Sequence, residues 1–100
     1  LKIILLIKII MKKIIHLAEN GTRFNFWCDG CQEVHSINNT WNFNNDFKKP
    51  TFSPSILVQG TSKNSPTYFR CHSFIENGQI RYLDDCTHKL AGQTIDLKPF

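Results

Sequence analysis

The chain has no run of about 20 apolar residues, the length a helix needs to cross a bilayer. Its opening segment, Leu1 to Ile10, is nearly all apolar, but it is too short and Lys2 and Lys8 interrupt it. No small-residue cleavage site follows that segment, so a secretory signal is not expected. The setting expected is the reducing cytoplasm. A strong charge of either sign is also missing. The net charge is +4, and Lys2, Lys8, Lys12 and Lys13 are crowded at the start, which leaves the remainder closer to neutral. Without a basic groove, nucleic-acid binding is not expected. Internal repeats, low-complexity tracts and a convincing 3.6-residue apolar period are absent as well, which argues against solenoids and helical bundles.

What remains is a chain of 100 residues, 41% hydrophobic, with 12% aromatic residues. That length supports one domain, and a domain this small often needs a staple. Met11-Lys12-Lys13 has the look of a translation start. Residues 1–10 then read as an upstream extension, with an extra β-strand or a membrane-surface segment as alternatives. Residues 11–100 then read as the single domain.

Alternation with period two dominates the rest. Lys12 to Leu17 and Thr22 to Trp27 read as strands joined at Asn20-Gly21, a pair suited to the positive φ angles of a tight hairpin. Val34 to Ile37 and Trp41 to Asn44 follow as short strands. Pro50 and Pro54 bracket a turn, Ser55 to Val58 emerge from it as a strand, and Gly60 to Pro66 read as a surface loop. Thr67 to Ile75 form a long strand, returned by Asn77-Gly78 into Gln79 to Leu83. Asp84 to Gly92 read as a turn with room for one helical turn, and Thr94 to Leu97 as a final strand. The fold expected is mainly β, a small antiparallel barrel or sandwich with a structural zinc site and little helix. The aromatics alternate along these strands as core residues do, and the basic residues needed for a base-stacking surface are not beside them.

Four cysteines are present. Cys28-Asp29-Gly30-Cys31 is a knuckle that can hold two zinc ligands on one turn. Cys71 and Cys86 flank the second hairpin, whose two ends meet. The first choice of ligands is therefore Cys28, Cys31, Cys71 and Cys86, with His88 or His35 as a substitute. A redox pair, or inert packing cysteines, are the alternatives.

Chemistry needs a nucleophile and a base. Ser53 and Ser55 sit in the proline-bracketed turn and Ser73 follows a histidine, although turn-capping is the plainer role for such serines. Of the four histidines, His72 is the strongest base candidate, because its neighbour Cys71 would anchor the backbone if it bound metal. His16 reads as an ordinary strand residue. His35 could be a ligand, a catalytic partner or surface. Asp84 and Asp85 could orient a histidine or serve the turn.

Taken in order, Cys28-x-x-Cys31-x-x-x-His35, Trp41-x-Phe43, Pro50-Thr-Phe-Ser-Pro-Ser-Ile56, Arg70-Cys-His-Ser-Phe-Ile75 and Asp85-Cys-Thr-His-x-Leu-Ala-Gly-Gln-Thr94 resemble a family of small phage and prophage proteins, some labelled ammonia monooxygenase. The resemblance runs from about Phe26 to Leu97. More distantly, the chain is similar to peptidases of bacterial ubiquitin-like (Bub) operons, which process or remove the modifier. By motif, that similarity implies Cys28, Cys31 and Cys71 as metal ligands, Ser55 as nucleophile and His72 as base. Cys86 rests on spacing alone, since its segment has no clear counterpart in the Bub proteins.

The leading expectation is a zinc-stabilised, peptidase-like hydrolase using Ser55 and His72 on a protein or ubiquitin-like tail, in the cytoplasm of a bacterial host and phage-encoded. The alternatives are a non-catalytic zinc module that binds a host protein, and a zinc hydrolase in which His72, His88 and a cysteine hold an open metal.

Overall fold

A computed structural model describes residues 12–62 and 65–100, and the side chains among them apart from those of 62–66. The expectations for residues 1–10 and for a start at Met11 concern residues outside this range. The described chain forms eight strands, β1 (Ile15–Ala18), β2 (Arg23–Cys28), β3 (Glu33–Asn38), β4 (Asn42–Phe43), β5 (Phe52–Ser62), β6 (Ser65–Glu76), β7 (Gln79–Tyr82) and β8 (Thr94–Asp96). They make two antiparallel sheets, β1-β2-β3 and β4-β5-β6-β7-β8. No helix occurs among the described residues, and the Asp84 to Gly92 segment is a chain of turns.

Both hairpins pivot where Asn-Gly predicts. Asn20 and Gly21 have φ of 59° and 80°, and Asn77 and Gly78 have φ of 50° and 80°. The first turn sets Ile15 opposite Phe26 and Leu17 opposite Phe24. That register keeps Phe24 and Phe26 on one face of β2.

The two sheets share one core. Ile15, Phe24, Phe26, Cys28 and Ile37 from the first sheet join Phe52, Ile56, Cys71, Ile75, Ile80 and Tyr82 from the second. Phe24 bridges them, edge-on to Phe52 at 5.4 Å and tilted on Phe43 at 5.0 Å between ring centroids. Burying an aromatic or large aliphatic side chain contributes roughly 1.5–3 kcal/mol. The nine aromatic and large aliphatic side chains named here supply much of the apolar burial that holds the two sheets together. His16 tethers the carboxyl-terminal end, its Nε2 lying 2.8 Å from the Phe100 carbonyl oxygen.

Two differences from the expected pattern matter for the site. The segment expected to be a proline-bracketed turn followed by a short strand is one long strand, and β5 runs through Pro54 with a bulge between Phe52 and Ile56. A proline is tolerated there because β4 pairs only with Phe52 and Ser53, so the strand has an open side. The expected surface loop from Gly60 to Pro66 is largely strand, since β5 reaches Ser62 and β6 resumes at Ser65.

Ile75 is fully buried between the sheets. Ile75→Ala is expected to lower the unfolding free energy by about 2–5 kcal/mol, read as a shift in the denaturant midpoint with an unchanged slope.

Candidate active site and cysteine cluster

β6 alternates between two environments, as any strand does. Cys71, Ser73 and Ile75 face the core, whereas Arg70, His72 and Phe74 face outward. Ser73, only 1% exposed, is thereby held on the opposite face from His72. Ser55 and Leu57 lie on the outward face of β5, and Leu57 stands directly opposite His72 in the register.

On that face His72 meets Ser55 and Asp85. Ser55 Oγ lies 3.1 Å from His72 Nε2, and His72 Nδ1 lies 3.2 Å from Asp85 Oδ2. A carboxylate only accepts, so Nδ1 carries the ring proton and donates it to Asp85. Nε2 is then left as the acceptor for the Ser55 hydroxyl. The arrangement has the geometry of a Ser-His-Asp triad, built from two adjacent strands and the turn that follows β7. Of the two aspartates weighed from sequence, Asp85 reaches the histidine. Asp84 instead lies near Gly92.

Asp85 is placed by backbone pairing. After β7 ends, the chain stays beside β6: Leu83 N–H donates to the His72 carbonyl at 2.9 Å, and Thr87 N–H donates to the Arg70 carbonyl at 2.9 Å. Between these, Cys86 Sγ accepts the His72 N–H and donates to the His72 carbonyl, both at 3.2 Å. Arg70 Nε donates to Asp85 Oδ2 at 2.8 Å. Partial burial would raise the Asp85 pKa, but the His72 hydrogen bond and the Arg70 charge outweigh it and hold the carboxyl below its ordinary value. The sign follows: the charged form is favoured above the ordinary carboxylate pKa, and the contact is lost as pH falls through the lowered one.

On the other face of β6 the cysteines gather. The donor atoms of Cys28, Cys31, His35 and Cys71 all lie within 4.8 Å of one another, and all four cysteines of the chain are free thiols. Cys28 Sγ is 3.8 Å from Cys71 Sγ, accepts the Cys31 N–H at 3.4 Å, and lies 3.3 Å from the Tyr82 hydroxyl. The Tyr82 oxygen accepts the Gly30 N–H at 3.1 Å, which leaves its own proton for Cys28.

Within this group the protons are unequally held. Hydrogen bonding from Cys31 and then Cys71 pushes the Cys28 thiol down, whereas hydrogen bonding to Cys28 pushes Cys31 up to about 12 and Cys71 up as well. His35 Nε2 is buried with no hydrogen-bond partner, and Nδ1 lies 4.0 Å from the Glu33 carboxylate. A buried nitrogen left orphaned beside three sulfurs is what a metal ion satisfies. These residues therefore fit a metal.

The geometry differs from the spacing argument at one ligand. Cys86 was expected as the fourth ligand, with His35 or His88 as a substitute, and the structure groups His35 with the three cysteines. Cys86 lies with Cys71 and His88 in a second, smaller group. In that group His88 Nδ1 accepts the Leu90 N–H at 3.1 Å, which puts the ring proton on Nε2, 3.5 Å from Cys71 Sγ. Sequence could not rank these histidines, because a ring's direction is set by neighbours distant in the chain.

A match to the family model for the bacterial ubiquitination-like system serine protease, BubE, covers residues 7–83. The chain belongs to this family. No curated protein and no solved structure matches the BubE-family chain at a significant level. The matched span contains the cysteine and histidine group, Ser55 and His72, but it stops short of Asp85. No helix among the described residues is long and apolar enough to cross a membrane.

The imidazole of His88 packs so closely over Gly30 that a Cβ built on the glycine would lie 2.3 Å from the ring. Gly30→Ala is expected to displace His88 from Cys71 and lower stability by about 1–3 kcal/mol. The His88 ring stands edge-on to Tyr82 at 4.5 Å between centroids, so thermal denaturation checks the loss and His88 ring shifts that no longer sense Tyr82 check its cause. Unchanged shifts would mean that the backbone at residue 30 gives way and the ring stays.

Proposed function

We propose that the chain is a peptidase-like hydrolase in which Ser55 is the nucleophile, His72 the base and Asp85 the group that orients it. One observation carries the reading: Ser55, His72 and Asp85 form an unbroken hydrogen-bonded line, with Nδ1 toward the carboxylate and Nε2 toward the hydroxyl. His72 Nε2 takes the hydroxyl proton as Ser55 Oγ bonds to the substrate carbonyl carbon, and Asp85 stabilises the imidazolium that forms. When the carbon–nitrogen bond breaks, the leaving amine takes that proton from Nε2 and an acyl-Ser55 ester remains. Water then gives a proton to Nε2 as its oxygen bonds to the acyl carbon; the ester bond to Oγ breaks, Nε2 returns the proton to Ser55 Oγ, and the acid is released.

The cysteine cluster supports this site from behind. Cys28, Cys31, Cys71 and His35 are assigned as ligands of a structural zinc, because three thiolates and an imidazole make a closed tetrahedral donor set. The ion would lock β6 through Cys71, one residue before His72. Cys86 and His88 are assigned outside the ligand set, Cys86 holding the His72 backbone and His88 donating to the Cys71 sulfur. The substrate proposed is a protein or ubiquitin-like tail, a reading supported by the family's description as a serine protease of a ubiquitination-like system. A cytoplasmic, phage-encoded setting belongs to the same proposal, and the four free thiols are in keeping with it.

Purified protein is expected to be labelled at Ser55 by a fluorophosphonate, located by peptide mass spectrometry. Ser55→Ala should lose the label while folding normally, and Asp85→Asn should slow labelling by roughly a hundredfold or more. A Ser55→Ala protein that still labels would exclude this nucleophile. For the cluster, Cys71→Ser or His35→Ala is expected to lose bound zinc and melt at lower temperature, because metal binding is coupled to folding. Acidification should release the metal as thiolates and imidazole are protonated. Full zinc content in both variants would overturn the ligand assignment.

A further inference from the structure

β5 is paired unequally on its two sides. On one side it hydrogen-bonds to β6 along nearly its whole length, from Phe52 to Ser62. On the other, β4 covers only Phe52 and Ser53. From Ser55 to Thr61 no strand of the described residues pairs with that second side. Among the described residues, alternate positions therefore leave N–H and C=O groups without a strand partner there, in the spacing a further strand would use.

Exposed edges are normally blunted by charge, proline or brevity. Edge strand β3 carries Glu33 and edge strand β8 carries Asp96. The open length of β5, Ser55-Ile-Leu-Val-Gln-Gly-Thr61, has no charge and no proline. It is also the longest exposed edge among the described residues, and the proposed nucleophile stands at its start. Beside it are two apolar side chains left in solvent, Leu57 at 43% and Tyr68 at 51% exposure. Leu57 is the cross-strand neighbour of His72, and the Tyr68 hydroxyl is held by Gln59 Oε1 at 2.7 Å.

We infer that the open edge of β5 is the substrate rail: an extended, uncharged peptide segment adds to the sheet as a further strand and delivers its carbonyl to Ser55. This rests on the hydrolase reading and says how that site recognises its substrate. Main-chain hydrogen bonds along the edge fix the peptide's phase, so that one carbonyl, and not its neighbours, comes to Ser55 Oγ. Side chains on the outward face rest on Leu57 and toward Tyr68. Recognition is then mainly of extended backbone, which suits a flexible tail and disfavours a folded surface.

Two kinds of probe separate this inference from the reading beneath it. A fluorophosphonate with no peptide reports the triad alone. A diphenyl phosphonate carried on an acetylated alanyl tripeptide is expected to label Ser55 at least about tenfold faster than the single-residue alanyl phosphonate. Methylating the backbone nitrogens of the tripeptide should erase that gain. In the tripeptide adduct, amides between Ser55 and Thr61 should gain hydrogen-exchange protection.

Equal rates for the two peptide lengths, or a methylated tripeptide that reacts as fast as its parent, would overturn the rail while leaving the triad intact. Protection of the same amides in the free protein, growing with its concentration, would also overturn it, because a second copy would then occupy the edge. No reaction even with the plain fluorophosphonate would remove the hydrolase reading and this inference with it.

Discussion

The alternation of one strand ties this molecule together. Consecutive side chains of β6 point to opposite faces, so Cys71 enters the buried sulfur cluster while His72, one residue on, enters the surface triad. Neither group is formed by a local motif. The cluster joins the turn after β2, strand β3 and strand β6; the triad joins β5, β6 and the turns after β7. β6 is the element common to both. A metal held by Cys71 would limit the backbone movement available to His72, and the Cys86 thiol clamps the same peptide units from the side.

The two faces ask for opposite electrostatics, and the fold supplies both. Inside, burial penalises charge, so a thiolate at Cys28 depends on hydrogen bonds from Cys31 and Cys71 and on the Tyr82 hydroxyl. Outside, Asp85 is close to solvent and its charge is favoured by His72 and Arg70. Arg70 binds the same carboxylate oxygen as His72, so it orients Asp85 as well as keeping it ionised. Surface ion pairs contribute little to stability on their own. Here the pair's effect is on geometry, because it fixes which oxygen faces the imidazole.

Strand pairing also explains why Ser55 is approachable. A serine on a central strand's outer face would be flanked on both sides by neighbouring strands. β4 is too short to cover β5 beyond Ser53, so among the described residues the strand bearing Ser55 is internal for two residues and an edge thereafter. Pro54 marks that change, and the bulge beside it shifts the register by which Ser55 meets His72.

Much of this was legible in the residues. Period-two alternation and two Asn-Gly pairs determined an antiparallel β fold and its hairpins, because turn chemistry and side-chain alternation are local properties. The Cys28-x-x-Cys31 knuckle, the pairing of Cys71 with His72 on opposite faces, and the candidacy of Ser55 were likewise readable from order and spacing. Which distant residues complete each group was not. Cys86 and His35 were both eligible fourth members of the cysteine cluster, and Asp84 and Asp85 both eligible partners for His72. The packing of the two sheets brings His35 to the cysteines, and the pairing of the Leu83 to Thr87 segment beside β6 brings Asp85 to the histidine. His72 and Asp85 are 13 residues apart and Cys28 and Cys71 are 43 apart, and only the tertiary structure sets the distances between such residues.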